Sequence, residues 1–295
     1  MKTKVSLVKG RTRSEAIPEA LEMLGANPVA GRDVLIKPNF NTADPFPAST
    51  HNETLTQLIR KLRDMGAKSL TIGERSGPPD TETVLRDLGI DLICDDLGVG
   101  LINFEELPAS QWTRIRPLQS HWQDGFDVAG PVLDSECIVT TCCLKTHRYG
   151  GVFTMSLKLS VGITHKRNMG ELHGAGPHMR QMIAEINQVY KPALILLDGM
   201  EVFTDGGPMS GQLRRADIIL AGTDRIAIDA VGLAVLQELG ANREIMDRRI
   251  FAQEQISRAV ELGLGVKSPE DIELLSADPV SASYGAKLQE ILMRG

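Results

Sequence analysis

Residues 136–180 read ECIVTTCCLKTHRYGGVFTMSLKLSVGITHKRNMGELHGAGPHMR. The β-branched run from Ile138 through Thr141 to Cys142 has strand character. Tyr149-Gly150-Gly151 forms a turn beyond it, where the missing Cβ atoms let a ligand approach the backbone. Gly176-Pro177 then opens a helix carrying Met179, Met182, Ile183, Ile186 and Val189 on one face, with proline suited to a first turn. A second buried strand follows, Ala193 to Leu197, ending in Asp198-Gly199. Strand, turn, helix and strand again is the repeating unit of an α/β fold.

The same alternation extends in both directions. Thr3–Lys9 reads as a strand, Ser14–Leu24 as a helix with Ala16, Ile17, Ala20, Leu21 and Leu24 on one stripe, and Asp33–Lys37 as an apolar strand. Thr50-His51-Asn52-Glu53 has the form of a capping box, with Leu55, Leu58, Ile59, Leu62 and Met65 behind it. Lys68–Gly73, Leu92–Asp95 and Gly100–Phe104 read as further strands. After Asp217–Ala221, Thr223-Asp224 caps a helix through Leu239, and helices over about 241–263 and 283–293 close the chain around a strand near 272–275. The pattern predicts an α/β fold with a mostly parallel sheet flanked by helices, as one domain over 1–295 or as two lobes with the site in the cleft between them. Residues 107–130, with Trp112, Trp122 and His121, lack a clear period and read as an irregular insertion or small second lobe.

At 295 residues, with 42% hydrophobic and 24% charged, the chain has an ordinary globular composition. No apolar run approaches the ~18 residues of a membrane span. The first residues read as a strand and not a signal peptide, so the expected compartment is the cytoplasm. A formal net charge of -6 and 4% aromatics argue against nucleic-acid binding. Cys94, Cys137, Cys142 and Cys143 make no C-x-x-C pair, so an iron-sulfur cluster held by this chain alone is not expected and buried small side chains are the simpler reading. No dinucleotide, P-loop or nucleophile-elbow pattern occurs.

Within this acidic chain residues 138–180 are a cationic island. Lys145, Arg148, Lys158, Lys166, Arg167 and Arg180 stand against a single acid, Glu171, and His147, His165, His173 and His178 are four of the chain's six histidines. Such an island suits a small anion, here a carboxylate. In an α/β fold ligands bind at strand carboxyl ends, where Lys37, Asn39, Glu74, Lys145–His147 and Asp198 are predicted to lie. Lys37, Asn39, Lys145 and Arg148 are therefore the candidate substrate-binding residues. His147 is a candidate acid/base at neutral pH. Lys158, in an apolar stretch, is a candidate amine nucleophile, with a snorkelling or ion-paired lysine as the alternative. Asp229, among apolar neighbours, needs a partner if buried, and Lys37 or Lys158 would supply one. Asp198 and Asp229 are thus read as pairing residues. His165 and His178 read as rim residues.

With Lys37-Pro38-Asn39, Thr50-His51, Gly73-Glu74, Leu144-Lys145-Thr146-His147, the Lys158 segment, His173, Asp198-Gly199, Gly207-Pro208 and Asp224–Asp229, the chain resembles the family known as domain of unknown function 362. Some members carry an added ferredoxin-type module that this chain lacks. Residues 145–173 are also distantly similar to the lactate racemase family, which uses a nickel-pincer nucleotide. That similarity implies His147 as acid/base, Lys158 as cofactor anchor and His173 as metal ligand, with Glu74 in Gly73-Glu74-Arg75 standing where the racemases have a second histidine. His51 joins His173 as a candidate metal ligand. Together these readings predict an isomerase-like enzyme or oxidoreductase acting on a small anionic substrate, with a divalent metal or a nickel-pincer-like nucleotide as the cofactor classes considered. A non-catalytic metal- or cofactor-binding or redox accessory protein is the alternative. A small anionic molecule is the expected partner, without nucleic acid or membrane, and a homo-oligomer is compatible with the sequence.

Overall fold

The computed structural model describes residues 2–294. The amino-terminal part contains β1 (Thr3–Lys9), α1 (Arg13–Met23), β2 (Asp33–Lys37), α2 (Asn52–Asp64), β3 (Ser69–Glu74), α3 (Thr81–Asp87), α4 (Ile90–Leu97) and β4 (Gly100–Asn103). Next come β5 (Trp112–Ile115), β6 (Phe126–Ala129), α5 (Gly130–Leu133), β7 (Cys137–His147), β8 (Val152–Thr154) and α6 (Ser156–Leu159). The rest is α7 (Met169–Gly174), α8 (Met179–Ile186), β9 (Leu194–Gly206), β10 (Gly211–Gly222), α9 (Arg225–Glu238), α10 (Arg243–Met246), α11 (Glu254–Glu261), β11 (Ile272–Leu275) and α12 (Pro279–Arg294).

The main sheet has the order β11-β1-β10-β9-β7-β2-β3-β4, with β8 hairpinned onto β7. β9, β7, β2, β3 and β4 run parallel, while β10 is antiparallel to both β9 and β1. This is the mostly parallel α/β sheet that the alternating pattern predicts. All of β7 is buried, as expected of a central strand covered on both faces. One face packs on Ile17, Leu21, Leu55, Leu58, Ile59 and Leu62 of α1 and α2. The other packs on α9, whose Ile226 to Leu236 segment is buried throughout.

Chain direction matters for function. From β2 the chain moves outward through β3 and β4, whereas from β7 it moves to β9 on the other side. The boundary between β2 and β7 is therefore the topological switch point, and the crevice above their carboxyl ends is where an open α/β sheet receives ligands.

Several local expectations change. Residues 92–95 are helical within α4, because left-handed Gly89 and Gly98 bracket one short helix that buries Ile90 and Cys94. Residues 241–263 break into α10, a single 3-10 turn and α11. α2 is capped by His51, whose Nδ1 accepts the Glu53 N–H at 3.1 Å, while the Thr50 hydroxyl accepts from Asn39 N. Within residues 107–130, β5 and β6 form a separate two-stranded ribbon whose Phe126 and Val128 join a core with Trp122 and α8. All four cysteines are buried and unpaired.

Candidate active site

Above the switch point lies a pocket of about 790 Å³ lined by residues that include Lys37, Asn39, Glu74, Arg75, Lys145, His147, Lys158, Lys166 and His173. It thus gathers seven of the sequence-predicted site residues: Lys37, Asn39, Glu74, Lys145, His147, Lys158 and His173. β2 delivers Lys37, β3 Glu74 and β7 Lys145 and His147. α6 and α7 bring Lys158 and His173 across the top, and the β9–β10 turn adds Pro208 and Met209. Glu74 is the one carboxylate in this lining.

Glu74 is fully engaged. Lys37 Nζ donates to Glu74 Oε1 at 2.5 Å, Arg75 N donates to the same oxygen at 2.8 Å, and Phe40 N donates to Oε2 at 2.8 Å. Both side chains of the pair are almost completely buried. Lys37 also donates to the Pro38 carbonyl. These contacts make Lys37 and Glu74 a charge-compensated floor, not a free anion-binding cation and a free base. Gly162 is needed at this point: a Cβ there would stand 2.8 Å from Lys37 Nζ and 3.0 Å from Glu74 Oε1.

Lys145 and Lys158 differ from Lys37 in forming no ion pair with a carboxylate among the described residues. Lys145 Nζ donates to the carbonyls of Pro47 and Ala48, and burial pushes its pKa down. Two of its three N–H donors are used, leaving one. Lys158 is only part-buried by surface, and its amine opens onto the pocket. Burial lowers its pKa to about 7, and the neighbouring charges, Lys145 and Arg75, push the same way. This amine therefore gives up its proton more readily than an ordinary lysine.

His147 packs beside Lys158. A Cβ on Gly151 would lie 2.8 Å from both His147 Nδ1 and Lys158 Cε, so Gly151 is the space that lets the two meet. Burial, with Lys158 and Lys145 adding to it, holds the imidazole pKa at about 2. The neutral ring accepts the Gly151 N–H at Nδ1, at 3.3 Å, which leaves the hydrogen on Nε2. In that tautomer the Nε2–H is the ring's remaining polar group. Val152, which follows Gly151, pairs across the hairpin with His147 and has φ of 66°, a strained value for a β-branched residue.

Other predicted residues lie outside the pocket lining. The Arg148 guanidinium sits exposed over the Tyr149 ring, 5.1 Å from its centroid. His51 uses Nδ1 for the α2 cap and meets Phe46 edge-on, so the two candidate metal ligands do not share this pocket. Among the described residues no group of three or more His, Cys, Asp or Glu side chains could hold a metal ion. Asp198 accepts from Arg13 Nε at 2.8 Å and from the Thr54 hydroxyl. Asp229 pairs with neither Lys37 nor Lys158. Its oxygens accept the backbone N–H groups of Ser156 at 2.7 Å and Leu157 at 3.0 Å, capping α6 from another element.

Two cations that the sequence reading left out belong here. Arg75 donates to the carbonyls of Ser76, Val161 and Thr164, tying the residues after α6 to the end of β3. Lys166 bridges Glu105 at 2.6 Å and the Pro79 carbonyl at 2.7 Å. Arg75 follows Glu74 at a strand end and Lys166 lies within the cationic island, so position alone was a usable signal for both.

One solved structure shares this architecture. A crystal structure of a Thermotoga maritima protein superposes with a TM-score of 0.52 at 15% identity, covering 78% of this chain and 59% of that one. The likeness is one of fold, and this chain spans 59% of the length of that protein. The lactate racemase apoprotein from Thermoanaerobacterium thermosaccharolyticum aligns over 98% of this chain and 86% of its own, with a TM-score of 0.49 and 11% identity. No curated protein matches the sequence. The family described as Domain of unknown function (DUF362) matches residues 34–234, and the chain belongs to that family.

Proposed function

We propose that this protein is an enzyme that binds a small carboxylate-bearing substrate in the switch-point pocket and moves a proton on it. The observation that carries this reading is the Lys158 amine, without an ion-pair partner among the described residues, in a pocket that is lined by further cations and whose one carboxylate, Glu74, is already taken by Lys37; burial there lowers the amine's pKa to about 7. An anionic substrate supplies the negative charge that Lys145 and Lys158 lack. Lys145 offers its remaining N–H to the carboxylate. The neutral fraction of Lys158 takes a proton from the adjacent carbon, becoming an ammonium beside the charge that develops, and can return it to complete the exchange. His147 donates through Nε2 to an oxygen of the same substrate.

The nickel-pincer-like nucleotide implied by the racemase resemblance fits this residue set. The pocket has the volume for a nucleotide-sized group, a cationic lining suited to phosphate, an open amine at Lys158 and an exposed imidazole at His173. Lys158 and His173 would hold it, in which case Lys158 would serve as its anchor in place of the proton carrier, and it would supply a metal centre able to polarise a substrate oxygen. A metal caged by protein side chains alone does not fit the pocket, since His147 and His173 are its only lining residues of the usual ligand types besides the engaged Glu74.

A non-catalytic cofactor-binding protein is the second reading, favoured by the full engagement of Glu74, which leaves no free carboxylate base. A panel of 2-hydroxy and 2-amino acids, which carry a C–H beside the carboxylate, separates the two in D2O. The enzyme reading predicts a rise in melting temperature and deuterium incorporation next to the carboxylate by NMR, both lost in Lys158→Met. Thermal stabilisation without deuterium incorporation supports a binding protein, and no stabilisation by any acid contradicts the enzyme reading.

A further inference from the structure

A second cluster of titratable groups lies outside the switch-point pocket. Glu185, in α8, has no exposed side-chain surface, and its carboxylate is a hub. Oε2 accepts from Ser120 Oγ at 2.7 Å and His121 N at 3.0 Å, while Oε1 takes Arg258 Nε at 3.0 Å and lies 2.6 Å from His121 Nδ1. With the carboxylate as acceptor, His121 Nδ1 carries a hydrogen and donates it. That leaves Nε2, on a side chain that is 30% exposed, as the ring nitrogen able to face a ligand.

This is the orientation given to metal-binding histidines, in which one ring nitrogen donates to a carboxylate and the other faces the metal. A second imidazole is in place. His178, just before α8 and exposed, lies against His121 with ring centroids 4.8 Å apart and planes inclined by 26°. The two rings are stacked, so a shared cation requires the exposed His178 side chain to turn until one of its nitrogens faces the same point as His121 Nε2. The Ser120 hydroxyl donates to Glu185 and not to His121, so the group is not arranged as a nucleophile with its base.

We infer that His121 and His178 form a surface site for a borderline divalent transition metal such as Cu²⁺, Ni²⁺ or Zn²⁺, with Glu185 orienting His121 from beneath. Imidazole suits these metals. Two protein ligands leave the remaining positions to water, consistent with the absence of a three-residue ligand cluster among the described residues. The site joins the loop before β6 to the turn before α8. Glu171 of α7, the helix that carries His173, also accepts from Gln123 N of that loop at 2.6 Å.

Titrating the full chain with Cu²⁺ tests the site, with affinity read by calorimetry and ligation by electron paramagnetic resonance. One Cu²⁺ per chain is expected, with superhyperfine splitting from two imidazole nitrogens. His121→Ala and His178→Ala, both exposed positions, should each weaken binding by roughly 10–100-fold, a loss of the size seen when a metal site loses a supporting group. His173→Ala should leave binding unchanged. Unchanged affinity in both the His121 and His178 variants, loss in His173→Ala alone, or no stoichiometric Cu²⁺ on the wild-type chain would each overturn the inference.

Discussion

Asp229 of α9 accepts the backbone N–H of Ser156 at 2.7 Å, and through that bond holds the first turn of the short helix that presents Lys158. Four residues are too few for a helix to persist unaided. The buried carboxylate, bonded also to Leu157 N, fixes it to the core. Replacing Asp229 with Ala leaves two buried donors without partners, which should lower stability by about 2–4 kcal/mol. Urea unfolding measures this loss, and retained stability would show that α6 does not depend on Asp229.

The same carboxylate gives a pH signature. Burial raises the Asp229 pKa to about 7 from an ordinary value near 4. Between those values the folded state holds a proton that the unfolded state has released, so this group's favourable contribution is complete below about pH 4 and is lost as pH rises toward 7. Wild type should lose more stability over that window than Asp229→Ala does. Parallel unfolding midpoints for the two proteins across pH 4–7 would contradict the assignment.

Lys37 and Glu74 are expected to depend on one another. Lys37→Met strands a buried carboxylate and should cost about 3–5 kcal/mol, whereas the Lys37→Met/Glu74→Gln double variant should recover most of that loss. A double-mutant cycle in urea gives the coupling directly. Additive effects would mean that the pair is not the floor of the pocket.

Gly151 is the contact point of His147 and Lys158. Gly151→Ala inserts a methyl group 2.8 Å from His147 Nδ1 and from Lys158 Cε, so the end of the Lys158 side chain must move away from His147. Ligand binding should fall at least tenfold while the melting temperature changes little. Unaltered affinity would show that the two side chains do not act together.

Lys158 should also reveal itself as a cost to the unliganded fold. Its folded pKa, near 7, lies below the unfolded value near 10.5, so the unfavourable charge is felt fully below pH 7 and fades as pH rises toward 10. Lys158→Met should therefore melt higher than wild type at pH 6, with a difference that shrinks by pH 9. A constant difference would place the charge in water and not in the pocket.

Much of this arrangement was legible in the sequence, for identifiable reasons. Alternating apolar periods mark β2, β7 and β9 and the helices α1, α2 and α9, because central strands and covering helices are buried in regular patterns. Lys37, Glu74, Lys145 and His147 sit at strand ends, and that placement follows once the strands are recognised. Partnership was not legible. That Lys37 takes Glu74, and that Asp229 serves backbone N–H groups and not a lysine, depends on which elements meet in space. The tautomer of His147 depends on the Gly151 N–H, and the cap on α2 passed from Thr50 to His51 because Asn39 claims the Thr50 hydroxyl. Residues 92–95 carry strand-like composition, and only the left-handed glycines at 89 and 98 reveal a short helix.

The central claim, that Lys158 is a partly neutral amine awaiting an anion, is tested most directly by its own titration. Reductive ¹³C-methylation of the protein, with Lys158 assigned by its absence in Lys158→Met, lets NMR follow the amine with pH. The predicted midpoint is about 7 in the free protein, shifting upward when a carboxylate ligand binds beside the protonated form. A midpoint near 10.5 that carboxylates leave unmoved would contradict the account.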